Sequence, residues 1–131
     1  MTVAHELTNS ECWDLLDRVS LGRLLYTSAG LPLAQPVRFV ARNKVVLLSL
    51  DQCTVTRVFP AGFEFVAFQA DDFVDGVETG HSVTVYGRAQ VVSHQRRSRA
   101  EGAGLPSHEG KAVHACVAPT HLCGRQLDLR T

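Results

Sequence analysis

Two groups of residues in this 131-residue sequence have the make-up of a chemical site. The first is Ser49, Thr54, Thr56 and Arg57, three hydroxyls and a guanidinium in one short segment. Neither a Walker glycine loop nor a dinucleotide fingerprint occurs, so a phosphate would have to be held by hydroxyls, backbone N–H groups and arginines drawn from strand ends and loops. This segment offers those groups, and so does an ordinary capped turn with a surface arginine. The second group is His114-x-Cys116 with His121-x-Cys123. Residues two apart on a strand share a face, so each pair presents two zinc-type ligands. Pro119 divides the pairs, their spacing matches no structural zinc motif, and cysteine is a common core residue, so no metal is expected. A cysteine nucleophile lacks an orienting third group beside His114, and no Gly-x-Ser-x-Gly elbow is present for serine chemistry. Arg96, Arg97 and Arg99 read as a solvated helix face. No catalytic residue is assigned on these grounds.

The elements that must position such residues are legible. Thr8-Asn9-Ser10-Glu11 matches a capping box, and Cys12, Leu15, Leu16 and Val19 recur at helical spacing, so a helix is expected over residues 9–20 with Gly22 as its left-handed stop. Thereafter the period falls to two. Leu24–Ser28, Leu31–Ala41 and Lys44–Leu50 read as antiparallel strands joined by turns at Ala29-Gly30 and Arg42-Asn43. Pro32 and Pro36 argue that the second of these is an edge or carries a bulge. Residues 51–61 read as a turn with one turn of helix. Phe63–Ala70 is expected as a strand buried from two sides, and Asp71–Glu78 as a solvated acidic loop. His81–Val92 alternates most clearly, with Gly87 marking a bulge or a close backbone approach. A short polar helix over Ser93–Glu101, a loop over Gly102–Gly110 and a last strand over Ala112–Ala118 complete the chain.

Six strands with one strong helix imply a mainly β fold, an antiparallel barrel or sandwich with helices at its periphery, in a single domain over residues 1–131. Composition supports a self-sufficient core, since 45% of residues are hydrophobic and 20% charged. Thirteen Lys+Arg balance thirteen Asp+Glu, which gives no bulk attraction for nucleic acid or an anionic membrane surface, and neither partner is expected. That balance also removes the self-repulsion that keeps small domains apart. The apolar runs Val45–Leu48 and Phe65–Phe68 are far too short to span a membrane. Met1 to Glu6 shows no basic region followed by an apolar run, so the expected location is cytoplasmic, with reduced cysteines.

One ordered set of motifs resembles a known family. The capped first helix leads into Gly22-Arg23-Leu24; Gln35-Pro36-Val37, Val66-Ala67-Phe68 with Asp71-Asp72, Gly80-His81-Ser82-Val83-Thr84-Val85-Tyr86-Gly87-Arg88-Ala89 and Gly124-Arg125 follow in order. Together they resemble the pyridoxamine 5′-phosphate oxidase-like, FMN-binding split-barrel proteins over nearly the whole chain. The resemblance implies a six-stranded antiparallel Greek-key split barrel, and a homodimer with FMN, or in some branches a deazaflavin coenzyme, at the subunit interface. It further implies phosphate contacts from Ser49, Thr54, Thr56 and Arg57, with Arg38 as an added candidate, and contacts from His81 and Ser82 of the other subunit. The implied activity is a small FMN-dependent oxidoreductase that transfers hydride through flavin N5 to a small molecule. The alternative is a split-barrel protein that binds flavin or another ligand without turnover. Two departures stand out. Val55-Thr56-Arg57 occupies the place of a Gly-x-Lys step common in the phosphate loop, and His81 stands where many members carry tryptophan. Arginine still suits phosphate, and His81 is the one candidate proton donor, with a purely cofactor-lining role as the other reading.

Overall fold

The computed structural model describes residues 2–73, 78–92, 112–128 and 130. The first helix, α1 (Asn9–Arg18), begins where the capping box places it. Thr8 Oγ1 accepts from the Glu11 N–H at 3.2 Å and Glu11 Oε1 accepts from the Thr8 N–H at 2.9 Å, so the box closes in both directions. Those bonds also hold the Glu11 carboxyl below the usual carboxylate range. Cys12, Leu15 and Leu16 bury the inner face, with Trp13 and Val19 packed beside them. The helix stops at Arg18 with Val19 already extended, two residues before the expected end. Gly22 is not its stop. It lies in strand β2 (Leu21–Ser28), where a Cβ would meet Phe68 Cζ at 2.4 Å and Gln69 O at 2.7 Å, so close packing rather than a left-handed backbone demands glycine there.

Strand β2 turns into β3 (Leu31–Arg42) through Ala29 and Gly30, with φ of 51° and 80°. Strand β3 turns into β4 (Val45–Asp51) through Asn43 and Lys44, with φ of 53° and 60°, so this turn falls one residue later than expected. Positive φ at both central residues matches the right-handed twist of the strands they join. Pro32 and Pro36 lie in the half of β3 that pairs with β2 alone, because the β3–β4 ladder runs only from Arg38↔Ser49 to Arg42↔Val45. That half is an edge, which is where proline costs no ladder bond. Helix α2 (Gln52–Val58) follows, capped by Asp51, whose Oδ1 accepts from the Thr54 N–H at 2.7 Å.

The remaining strands are β5 (Phe63–Asp72), β6 (Thr79–Val91), β7 (Ala112–Asp128) and, at the amino end, β1 (Thr2–Glu6). The sheet order is β1-β7-β4-β3-β2-β5-β6, and β6 pairs back onto β7, so β7, β4, β3, β2, β5 and β6 form a closed antiparallel ring. Closure removes the open edges that a flat sheet would expose. Strand β1 lies outside that ring, on the far end of β7, and is a seventh strand beyond the six expected. Strand β7 runs ten residues past the expected stop at Ala118. It passes Pro119 at a bulge, where the β6–β7 register shifts between Tyr86 and Gly87 and Pro119 sits opposite Gly87. A Cβ on Gly87 would lie 2.1 Å from Ala118 O, so the close approach read from the sequence is real.

The ring is filled by Leu24, Phe39, Leu48, Phe68, Val83, Val85, Ala89 and Val117, all buried. Phe39 and Phe68 meet edge to face, with centroids 4.6 Å apart at 63°. Strand β5 is not buried from both sides as expected. Val66, Phe68 and Ala70 point inward, while Phe63 and Phe65 stand 45% and 59% exposed on the outer face. Asp71 and Asp72 belong to β5 rather than to a loop: they pair with Ser82 and His81 of β6, and Arg23 and Arg18 form ion pairs with them. The expected helix over Ser93–Glu101, the loop over Gly102–Gly110 and Arg96, Arg97 and Arg99 lie outside the described residues. Among the described residues no helix is long and apolar enough to cross a membrane.

Candidate functional site

Strand parity decides which expected site residues reach the surface. On β3, Val37 and Phe39 point into the core, so Arg38 between them points out and is exposed. Its cross-strand neighbour on β4 is Ser49, half-buried on the same outer face. Strand β4 then runs directly into α2, whose phase sorts the rest. Thr54 faces inward at 1% exposure, and its hydroxyl accepts a 2.7 Å bond from Gln35 Nε2. Thr56 is exposed but donates to the Gln52 carbonyl of its own helix at 3.0 Å. Arg57 is exposed in the last turn, and among the described residues neither Arg38 nor Arg57 forms a salt bridge.

The Thr54 N–H, followed by the Thr54 hydroxyl, holds the Asp51 carboxyl below the usual range, with Arg57 adding a smaller favourable field. Asp51, Thr54 and Gln35 thus fix the start of α2 against β3, and the guanidinium of Arg57 is carried on that fixed helix. Arg38, Ser49 and Arg57 together have the donor set of an anion site, two guanidiniums and a hydroxyl.

His81 and Ser82 open β6, half-buried, across from Asp72 and Asp71 on one side and Gln126 and Arg125 on the other. Strand order places β6 three strands from β3 in either direction around the ring, roughly 14 Å of sheet. Arg38, Ser49 and Ser82 thus lie at outward positions of strands on opposite sides of the barrel, whereas His81 shares the inward parity of Val83 and Val85 at the end of β6.

Between them the outer face carries a network that the sequence did not disclose. Arg23 Nη2 donates to Gln69 Oε1 at 3.0 Å and to Asp71 Oδ2, and Gln69 Nε2 donates to Thr84 Oγ1 at 3.3 Å. This chain of bonds joins β2, β5 and β6 across one row of the sheet. The available signal was the placement of Arg23 and Asp71 at outward positions of paired strands, which requires knowing the pairing. Leu21, Phe63, Phe65 and Tyr86 are exposed elsewhere on the same three strands.

The histidine-cysteine pairs do not converge. His114 is buried opposite Ser49, and Cys116 packs with Leu47 in a small apolar cluster on the outer face. His121 lies against Tyr86 at 5.8 Å between ring centroids, and Cys123 faces Thr84. Among the described residues no three His, Cys, Asp or Glu side chains gather as a metal site would require. Cys12 is sealed between α1 and β7; burial pushes its thiol upward, with Cys123 and Glu11 adding to the shift.

A closed antiparallel ring, split where β2 and β5 share a ladder of only three residue pairs and flanked by two short helices, defines a split-barrel protein. The family model for pyridoxamine 5′-phosphate oxidase matches residues 8–124, and the chain belongs to that family. Among solved structures it is similar to an FAD-binding protein from Mycobacterium smegmatis, at 34% identity and a TM-score of 0.78, covering 95% of this chain and 99% of that one. A putative pyridoxamine 5′-phosphate oxidase from Corynebacterium glutamicum is 20% identical with a TM-score of 0.74, covering 97% and 95% of the two chains. An FAD-binding protein from Mesorhizobium loti is 18% identical with a TM-score of 0.79, covering 98% and 100%. The last two show the shared fold. No curated protein matches the chain.

Proposed function

We propose that this protein is a flavin-dependent oxidoreductase that works as a homodimer, with the nucleotide held between two copies. The observation that carries this reading is the pair of exposed guanidiniums, Arg38 beside Ser49 and Arg57 on the helix that follows β4, neither in a salt bridge among the described residues. Such a group suits a phosphate ester, and the similar FAD-binding protein supports a flavin nucleotide as the ester concerned. The three strands between Ser82 and the Arg38–Ser49 pair support a second copy as the source of the His81 and Ser82 contacts. Exposed Leu21, Phe65 and Tyr86 supply apolar surface for the contact.

A bound flavin supplies hydride transfer at its N5 position. This chain's residues do the rest. Arg38 and Arg57 hold the phosphate, Ser49 donates to it, and the Asp51–Thr54–Gln35 bonds keep α2 and hence Arg57 in place. His81 of the second copy lines the ligand and offers a proton. The pinned Arg23 keeps the face between the two groups rigid.

FMN is the proposed nucleotide, because two guanidiniums and one hydroxyl match a single phosphate. FAD is the other nucleotide that the relatives support, and the mass of the nucleotide released on denaturation distinguishes them. Binding without turnover is the second reading, favoured by Val55-Thr56-Arg57 in place of Gly-x-Lys and by His81 in place of tryptophan. Reduction of the bound flavin by a nicotinamide donor separates the two. The first test is thermal: a ligand at 100 times its dissociation constant adds about 2.7 kcal/mol to stability. A protein whose melting temperature is unmoved by excess FMN and by excess FAD is not a flavin protein.

A further inference from the structure

Phe73 follows the last residue of β5 and lays its ring over Gly80, the second residue of β6. A Cβ on Gly80 would collide with Phe73 Cδ1 and Cε1, so the ring fills the space that any other side chain at position 80 would take. Gly80 is buried beneath it. The ring itself is 43% exposed and stands outside the hydrophobic core, so it is seated on backbone and still presents aromatic surface to solvent.

Strand parity fixes the face on which this happens. Val83 and Val85 point into the barrel, so Ser82 points outward, and so would a side chain on Gly80. The Phe73 ring therefore lies on the outer face, two residues or roughly 7 Å along β6 from Ser82. His81 and Ser82 are the contacts expected from the second copy, and they bring no ring to this face, because His81 has the inward parity of Val83 and Val85. Asp71, opposite Ser82 on β5, is already paired with Arg23, so the carboxylate nearest this position carries a countercharge. A flavin ring is flat and apolar on its faces and polar along its pyrimidine edge. An exposed aromatic ring with a hydroxyl beside it offers both the stacking surface and the edge contact.

We infer that Phe73 is a binding residue for the flavin ring. The inference rests on the homodimer proposed above: the nucleotide whose phosphate meets Arg38 and Arg57 of one copy lays its tricycle on Phe73 of the other. Gly80 is a positioning residue, since it acts only through the seat it leaves for that ring.

Titrations of the purified protein and four variants with FMN and with FAD test this, each variant being melted first. Phe73 is outside the core, so Phe73→Ala keeps the fold. It should weaken flavin binding by about tenfold, the scale on which planar heteroaromatic rings lose affinity when a stacking partner is removed. Phe73→Tyr keeps the ring and should bind within about threefold of the parent. Its phenol donates an electron to an excited flavin in contact with it, so the emission of the bound flavin should fall severalfold, which a merely structural role would not produce. Gly80→Ala displaces the ring and should cost about as much affinity as Phe73→Ala, and the double variant Phe73→Ala, Gly80→Ala should lose no more than either alone, because both changes remove one contact. Val91→Ala, at the exposed far end of β6, controls for loss of apolar surface and should leave affinity unchanged. A parent that binds flavin while Phe73→Ala binds it equally well overturns the inference and leaves the flavin reading standing. Losses that add in the double variant, or an equal loss in Val91→Ala, overturn it as well. A parent that binds neither nucleotide overturns the inference and the flavin reading together.

Discussion

Thr54 and Arg57 sit three positions apart on one short helix, and the structure gives them opposite duties. Replacing Thr54 by valine keeps the shape and the backbone N–H that Asp51 caps, and deletes the hydroxyl that accepts from Gln35 at 2.7 Å and also supports the Asp51 carboxylate. At 1% exposure no water replaces that acceptor, so the Gln35 amide loses its partner in a part-buried setting. A net hydrogen bond is worth about 1 kcal/mol, and an orphaned donor adds to that, so Thr54→Val should cost about 1–2 kcal/mol. For a domain of this size that is a fall in melting temperature of roughly 3–8 °C. Flavin affinity should change less than about threefold, since the Asp51 cap on the residue-54 N–H remains to fix the start of α2 and the hydroxyl itself faces the core. Arg57→Ala should do the reverse. Arg57 is exposed and without a salt bridge, so stability should move by no more than about 0.5 kcal/mol. Loss of one charge-assisted phosphate contact should weaken flavin binding by about tenfold, or 1.4 kcal/mol. Calorimetric melts and FMN titrations of the two variants give the four numbers required. A Thr54→Val protein that melts normally and binds flavin tenfold more weakly would refute the assignment, as would an Arg57→Ala protein that loses several degrees and binds normally.

Three further outcomes follow from the same contacts. Gly87→Ala drives a Cβ to 2.1 Å from Ala118 O, a backbone atom at the barrel's closing ladder, and should lower stability by about 1–3 kcal/mol or more in a chemical denaturation curve. Asp51 has its folded pKa depressed by the Thr54 N–H, so its cap contributes fully above the unfolded value of about 3.9 and is lost as pH falls through the lower folded value. Asp51→Asn keeps an acceptor at the cap, so melts between about pH 5 and 2 should show a shallower acid decline in that variant than in the parent. Cys53 is exposed whereas Cys12 is buried with a raised pKa, so a thiol reagent at neutral pH should label Cys53 rapidly and Cys12 only under denaturing conditions, read by peptide mass.

The sequence patterns that proved legible are local ones. The capping box at Thr8 and Glu11 specifies a helix start within four residues, and the alternation from His81 to Val92 specifies a strand, because neither depends on what lies elsewhere in the chain. Gly22 misled because the same residue type serves both a helix stop and a crowded strand, and only the position of Phe68 distinguishes the two. Strand β1 is five residues long and takes its stability from β7, which no window around residues 2–6 reveals. Pro119 reads as an end and is instead tolerated at a bulge opposite Gly87. In the site, the types were legible and the directions were not. Hydroxyls and guanidiniums after the third expected strand were evident, yet Thr54 faces Gln35 while Arg57 faces outward, a matter of helix phase relative to a sheet. Asp71 looked solvated until pairing brought Arg23 beside it. The split between β2 and β5 beyond Leu25↔Ala67 is the least legible feature, since it arises where a ladder stops rather than from any residue run.

Native mass spectrometry of the purified protein, after incubation with excess FMN and FAD, counts chains and ligands together and so reads the shared flavin site in one experiment. The expected species holds two 14.3 kDa chains and two flavin nucleotides, and gives way to a flavin-free species in the double variant Arg38→Ala, Arg57→Ala. A bare single chain under the same conditions would contradict both the shared site and the nucleotide it is proposed to hold.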